Sequence, residues 1–158
     1  MKIFVSHQRA DSVLAAAVAA RLKTQHGIDS YLDLIDPEGS KAGENLGEYI
    51  RLQLGKCTQL LAVVSANTKT SWWVPWEIGI ATEKHQPIAT YAGDNTTLPE
   101  YLKKWPYLRS QADLDVYATV SKTTETSFVR RRAYKSEELA KAETTGDFYT
   151  TIRSRLGQ

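Results

Sequence analysis

Four short runs rich in β-branched, aliphatic and aromatic residues, Lys2–Ser6, Ile28–Leu34, Thr58–Ser65 and Ile88–Tyr91, alternate with stretches of helical spacing. This alternation constrains the fold more than any other feature of the chain. Asp11 or Ser12 can cap a helix that runs to about Gln25, and Gly27 supplies the left-handed residue that commonly closes one. Leu46, Ile50 and Leu54 recur every four residues within a second helix, Glu44–Leu54, after a turn-rich loop that holds Asp36, Pro37, Glu38, Gly39 and Ser40. Thr58–Ser65 is the most apolar run and needs cover on both faces, as a strand of a parallel sheet does. A third helix is expected over about Pro75–Lys84. Repeated strand-then-helix passes predict an α/β fold, a parallel sheet sandwiched by helices.

With 158 residues there is room for one domain, read as 1–158. The pattern is plain over 2–91 and weaker over 92–158, where Gly93, Asp94, Asn95, Pro99 and Pro106 interrupt every period. A short helix is expected near Leu98–Lys104. Asp113–Lys122 fits either a helix or a strand, because Leu114, Tyr117 and Val120 match a spacing of three while Val116 and Ala118 blur it. Phe148, Ile152 and Leu156 predict a C-terminal helix near 147–156.

Charge and cysteine content exclude several classes of function. A net charge of +2 is too small to announce a nucleic-acid partner. One cysteine, Cys57, closes no intrachain disulfide, and no Cys/His cluster has metal-ligand spacing, so neither a metal nor a cofactor is expected. No apolar run approaches the ~20 residues that cross a bilayer. The stretch Val13–Ala20 imitates a short secretory signal, but Leu14, Val18 and Leu22 recur as on one helix face, which favours a cytoplasmic chain without a membrane partner.

Ligands of an open parallel sheet bind beyond the carboxyl ends of its strands. After the first strand stand Ser6, His7, Gln8 and Arg9; after the second, Asp33 and Asp36; after the third, Ser65, Asn67 and the cluster Trp72, Trp73, Trp76 and Glu77. Three of the chain's four tryptophans fall within five residues there. Pro75 suits a first helical position and would put Glu77 in the first turn, beside the helix's partial positive charge. If the helix reaches back to Trp73, then Trp73, Trp76, Glu77 and Ile80 share a face, and a carboxylate lies flanked by aromatic planes at the crevice. A first-turn glutamate has a bland explanation in the helix dipole, worth roughly 0.3–1 kcal/mol, and tryptophans commonly serve as core.

The order of these features resembles the Toll/interleukin-1 receptor (TIR) domain family, in its bacterial NAD-cleaving type. Ile3-Phe4-Val5-Ser6-His7 with Asp11 resembles its first strand and loop, and Tyr31-Leu32-Asp33 its second strand. Gly43-Glu44-Asn45-Leu46 to Ile50 is similar to the helix that follows, and Val63-Val64-Ser65 to the end of the third strand. Ser71-Trp72-Trp73-Val74-Pro75-Trp76-Glu77 contains the Trp-x-x-x-Glu pattern of the family's enzymatically active members. The resemblance implies a flavodoxin-like three-layer sandwich whose central parallel sheet has about five strands. It further implies an NAD+ glycohydrolase or ADP-ribose cyclase that cleaves the nicotinamide–ribose bond, in bacterial antiphage immune signalling or as an effector. Glu77 falls on the catalytic glutamate and Trp73 on its paired aromatic, NAD+ being substrate rather than cofactor. Self-association as a homo-oligomer, including the loop 34–43, and a downstream reader of a nucleotide product belong to the same implication.

Trp76, Ser6, Asp33 and Arg9 complete the expected substrate-binding set. Trp73 or Trp76 can stack on the departing pyridinium, Ser6 and Asp33 can meet ribose or phosphate groups, and Arg9 the pyrophosphate. His7 has no orienting partner in the sequence and is left out of catalysis. Arg130, Arg131, Arg132 and Lys135, between Phe128 and Tyr134, read as a solvated or self-association surface in preference to a nucleic-acid grip. Two other functions stay open: a non-catalytic interaction or adaptor module, and a nucleoside deoxyribosyltransferase-like enzyme.

Overall fold

Five parallel strands form one sheet in the order β2-β1-β3-β4-β5, with β1 Lys2–Ser6, β2 Asp29–Leu32, β3 Gln59–Val63, β4 Ile88–Tyr91 and β5 Tyr107–Leu108. The computed structural model describes residues 1–32, 46–66, 68, 71–92 and 96–158. Among the described residues five α-helices accompany the sheet: α1 Ser12–His26, α2 Leu46–Gly55, α3 Trp73–Glu83, α4 Gln111–Arg132 and α5 Glu137–Leu156. Together they form the helix-covered parallel sheet that the alternation predicts, in the flavodoxin-like arrangement that the resemblance implies. The chain steps from β1 to β2 in one direction, then back past β1 to β3, so the edge of β1 and β3 is the topological switch point.

Strand alternation divides the core into two layers. Ile3 and Val5 of β1, with Leu61 and Val63 of β3, pack beneath α1, α4 and α5. Phe4, Leu60 and Ala62 point the other way, against Leu46, Ile50 and Leu54 of α2 and Val74, Ile78 and Ala81 of α3. A sheet covered on both faces explains why β3 carries five buried residues in succession. Gly27 closes α1 at φ 64°, where the Ile28 N–H donates to Leu22 O at 3.0 Å and the Gly27 N–H to Lys23 O at 2.9 Å.

Several boundaries differ from expectation. β3 is shorter than its apolar run, β2 begins one residue after Ile28, and the Glu44 end of the second helix lies outside the described residues, as do Asp33, Asp36, Asn67 and the loop 34–43. The short helix near Leu98–Lys104 is a 3-10 turn, Glu100–Leu102. β5 follows Pro106 directly and is only two residues long, too short to display a period. The stretch 113–122 is helical: Leu114, Tyr117, Ala118, Val120 and Ser121 form its buried face, and Ser110 caps α4 by accepting from the Asp113 N–H at 3.1 Å. α5 starts ten residues before position 147 because Ser136 caps it, accepting from the Leu139 N–H at 3.3 Å. Phe148 and Ile152 are buried against the sheet as their spacing predicts.

The basic run lies at the α4–α5 turn, where α5 neutralises much of it. Arg131 reaches Asp147 at 2.5 Å and Glu143 at 3.4 Å, Lys135 also pairs with Glu143, and the Arg132 guanidinium lies 5.7 Å from the Phe128 ring centre. His26, near the end of α1, contacts Asp115 of α4 at 2.8 Å, a side-chain partner in addition to the helix dipole.

Candidate functional site

The alternation that buries Phe4 under α2 and α3 turns Ser6, two residues further on, toward the same helices at the carboxyl edge of β1. There the Ser6 hydroxyl donates a short hydrogen bond to Glu77 Oε2. Both residues are buried, Ser6 at 0% and Glu77 at 1% relative exposure. A carboxyl group is rarely left without water unless polar partners replace it, so this contact is a specific feature of the edge.

Glu77 reaches that position because α3 begins earlier than the proline indicates. The first helical residue is Trp73, Pro75 is the third, and Glu77 is the fifth, two residues further in than expected. Pro75 is tolerated there because the N–H groups of a first helical turn have no intrahelical acceptor. No acidic residue occupies the first turn of α3, and the dipole's influence fades beyond that turn. The bland account of Glu77 as a first-turn dipole partner is therefore overturned.

With the helix beginning at Trp73, Glu77 is buried along with Val74, Ile78 and Ala81, while Trp73 is half-buried and Trp76 exposed. The two indoles meet edge to face, with ring centres 5.5 Å apart and planes at 86°. Trp76 also lies over α2: its ring atoms stand 3.6 and 3.7 Å from the place a Cβ would take at Gly47. Trp72, outside this pair, is 89% exposed.

The connection from β3 to α3 is tied down by hydrogen bonds centred on Thr68. Its hydroxyl accepts from the Ser65 N–H at 3.0 Å and donates to Asp11 Oδ2 at 3.1 Å, while its carbonyl accepts from the Ser71 N–H at 3.0 Å. Ser71 Oγ then accepts from the Val74 N–H at 3.3 Å, in the first turn of α3. Sequence reasoning gave Asp11 a place in the first strand-and-loop motif and, as an alternative to Ser12, a helix-capping role, and it passed over Thr68. Asp11 stands at the cap position of α1 but makes no side-chain cap bond.

His7 acquires the orienting partner that sequence could not supply: Nδ1 lies 3.1 Å from Val5 O, an acceptor, so Nδ1 carries the proton. Arg9 is exposed in the turn Arg9–Asp11 at the same edge. Asp33 lies outside the described residues.

A cavity of about 370 Å³ opens at the opposite edge of the sheet, lined by Cys57, Gln59, Gln86 and Pro87 with parts of α4 and α5. None of the candidate residues contributes to it. Burial pushes the Cys57 thiol up to about 11, which leaves it protonated and unreactive at neutral pH. Among the described residues no group of three or more His, Cys, Asp or Glu side chains could hold a metal ion, and no helix is long and apolar enough to cross a membrane.

A parallel sheet of this order, with a buried acid at its switch point, defines a flavodoxin-like fold. The family model for the TIR domain matches residues 3–128, and the chain belongs to that family. No curated protein matches it. Three solved structures are similar at low identity. The TIR domains of the activated Roq1 resistosome directly recognizing the pathogen effector XopQ share 16% identity over 99% of this chain and 97% of theirs, at a TM-score of 0.47. A prokaryotic SEFIR domain shares 16% over 73% and 85%, at 0.48. Diflavin flavoprotein A3 from Nostoc sp. shares 12% over 99% and 97%, at 0.45. The family assignment rests on the family model and not on these superpositions.

Proposed function

We propose that the protein cleaves NAD+ between nicotinamide and ribose, with Glu77 as the catalytic residue and Trp73 and Trp76 as the aromatic wall of the substrate site. The observation that carries this reading is the buried Ser6–Glu77 contact at the carboxyl edge of β1, beside the Trp73–Trp76 pair. TIR domains include both NAD-cleaving enzymes and adaptors, and the Trp73-x-x-x-Glu77 spacing is that of the former.

In the reaction the bond between ribose C1′ and the pyridinium nitrogen breaks and its electron pair goes to nicotinamide, which leaves neutral. No acid is needed to protonate the leaving group, unlike ordinary glycoside hydrolysis with its two carboxyl groups. Positive charge grows on the sugar, and one preorganised carboxylate in a water-poor setting opposes it. Water then adds to C1′ and releases a proton, giving ADP-ribose, or the adenine ring adds in its place, giving a cyclic product. Ser6 holds Glu77 in place, a different role from the direct ribose contact first expected of it. An indole face stacks on the cationic ring for about 0.5–2 kcal/mol and loses part of that attraction as the ring turns neutral, so Trp73 and Trp76 position more than they accelerate. Arg9 and Asp33 remain proposed contacts to pyrophosphate and ribose.

Self-association through TIR contacts that include the loop 34–43, a cytoplasmic setting and immune signalling or effector action belong to the same proposal. The alternative reading, an interaction module without chemistry, draws on the exposed aromatic and aliphatic side chains Trp72, Trp76, Tyr49 and Leu52 near the same helices. Concentrated pure protein incubated with NAD+, with products resolved by chromatography and mass, separates the two. Free nicotinamide is expected, and its co-product distinguishes hydrolase from cyclase; intact NAD+ at high protein concentration contradicts the enzymatic reading.

A further inference from the structure

Among the described residues two side-chain hydrogen bonds join the segment from β1 into α1 with the segment from β3 into α3, and one of them contains Glu77. The first is Ser6 to Glu77. The second, Asp11 to Thr68, lies five residues beyond Ser6 on one segment and nine residues before Glu77 on the other. Both members of the second joint are buried, Asp11 at 4% and Thr68 at 0%. Thr68 is the hub from which α3 is launched. Its hydroxyl takes the Ser65 N–H at the end of β3 while donating to Asp11, and its carbonyl takes the Ser71 N–H, whose side chain receives the Val74 N–H. Trp73 sits within that relay and Glu77 one turn beyond it. The two joints act as struts: one fixes where α3 starts relative to α1, and the other fixes where its acid ends relative to β1.

We infer that Asp11 and Thr68 are positioning residues for the site, holding the first turn of α3 so that Glu77 and Trp73 face the sugar and ring of the substrate in register with Ser6. The inference rests on the NAD-cleaving reading above and adds two residues that touch no substrate atom. A group that acts electrostatically on developing charge is sensitive to placement, and a misplacement of 1 Å costs on the order of 100-fold in rate. Loosening the second strut therefore lowers kcat, while KM, set largely by parts of the substrate away from the bond that breaks, changes little.

Hydrogen-bond chemistry supplies the discriminating variants. Asp11→Asn keeps an oxygen acceptor for the Thr68 hydroxyl, and Thr68→Ser keeps the hydroxyl itself. Asp11→Ala removes the acceptor, and Thr68→Val removes both donor and acceptor. Steady-state NAD+ cleavage should be measured for all four full-length variants at a temperature where circular dichroism shows each to be folded. The near-ultraviolet circular dichroism of the tryptophans is recorded in parallel as a direct readout of their packing. Asp11→Ala and Thr68→Val are expected to lose about 10-fold or more in kcat, with KM within about threefold and an altered tryptophan signal. Asp11→Asn and Thr68→Ser should stay near wild type in all three. Folded Asp11→Ala and Thr68→Val proteins with wild-type kcat overturn the inference, as do losses shared equally by the conservative pair. Wild-type protein that leaves NAD+ intact refutes the enzymatic reading instead. The strut is then judged by the tryptophan signal alone, and an unchanged signal in Asp11→Ala refutes it too.

Discussion

A carboxyl side chain 1% exposed has lost nearly all its water, and the groups that replace that water decide whether it is tolerated. For Glu77 the Ser6 hydroxyl is such a group. Ser6→Ala deletes it and leaves a buried acceptor short of a donor, so chemical denaturation should show a loss of about 1–3 kcal/mol. NAD+ cleavage should fall as well, because the carboxylate loses its orientation. Thr90 is the counter-case on the next strand but one. It is fully buried, and its hydroxyl has no hydrogen-bond partner among the described residues. Replacing that hydroxyl with a methyl group removes an uncompensated polar atom at nearly constant shape, so Thr90→Val is expected to hold or raise stability in the same assay. A marked loss in Thr90→Val would mean that the hydroxyl has a partner in solution. Sequence made Glu77 conspicuous, because an acid four residues after one tryptophan and next to another is an unusual grouping. It could not disclose that Ser6 serves that acid, since their contact spans 71 positions and depends on strand alternation meeting a helix that starts two residues before its proline.

Helices α1 and α4 are joined at Asp115, which accepts from Arg21 at 2.9 and 2.6 Å and from His26 at 2.8 Å. Hydrogen bonding from Arg21, and then from His26, lowers its pKa from 3.8 to about 2. A carboxyl group depressed on folding contributes stability that is complete above its unfolded value and is lost as pH falls through its folded one. The wild-type protein should therefore lose stability from about pH 4 down to about pH 2, and Asp115→Asn should flatten that limb in acid titrations followed by circular dichroism. An unchanged limb would assign the acid sensitivity to other carboxylates. At this scale the legibility of the sequence follows from periodicity. α1, α2, β1 and β4 were visible because their apolar spacing is clean and Gly27 marks a stop. α4 stayed ambiguous because Val116 and Ala118 interleave with its buried face, and β5 could not be seen in two residues after a proline. The basic run at 130–132 read as surface charge because its acidic partners, Glu143 and Asp147, lie a helix turnaround away.

Across the whole molecule, the strand order places the end of β1 at the point where the chain reverses direction, and the candidate acid of α3 meets β1 there. The fold and its family were legible from the order of short motifs over the first 91 residues, although the family match continues to residue 128. The self-association proposed for the site carries its own prediction: if a second copy completes it, NAD+ cleavage per molecule should climb steeply with protein concentration, whereas strict proportionality between rate and concentration would indicate that one chain suffices. Glu77→Gln removes the charge, and its amide oxygen can still accept from Ser6, which makes it the most direct test of the central claim. Nicotinamide release by wild type and Glu77→Gln should be compared at equal, high concentration, with folding checked in both. The account predicts a fall of at least about 100-fold in a folded variant, the scale of losing one preorganised charge-stabilising group. Wild-type release from folded Glu77→Gln would contradict it.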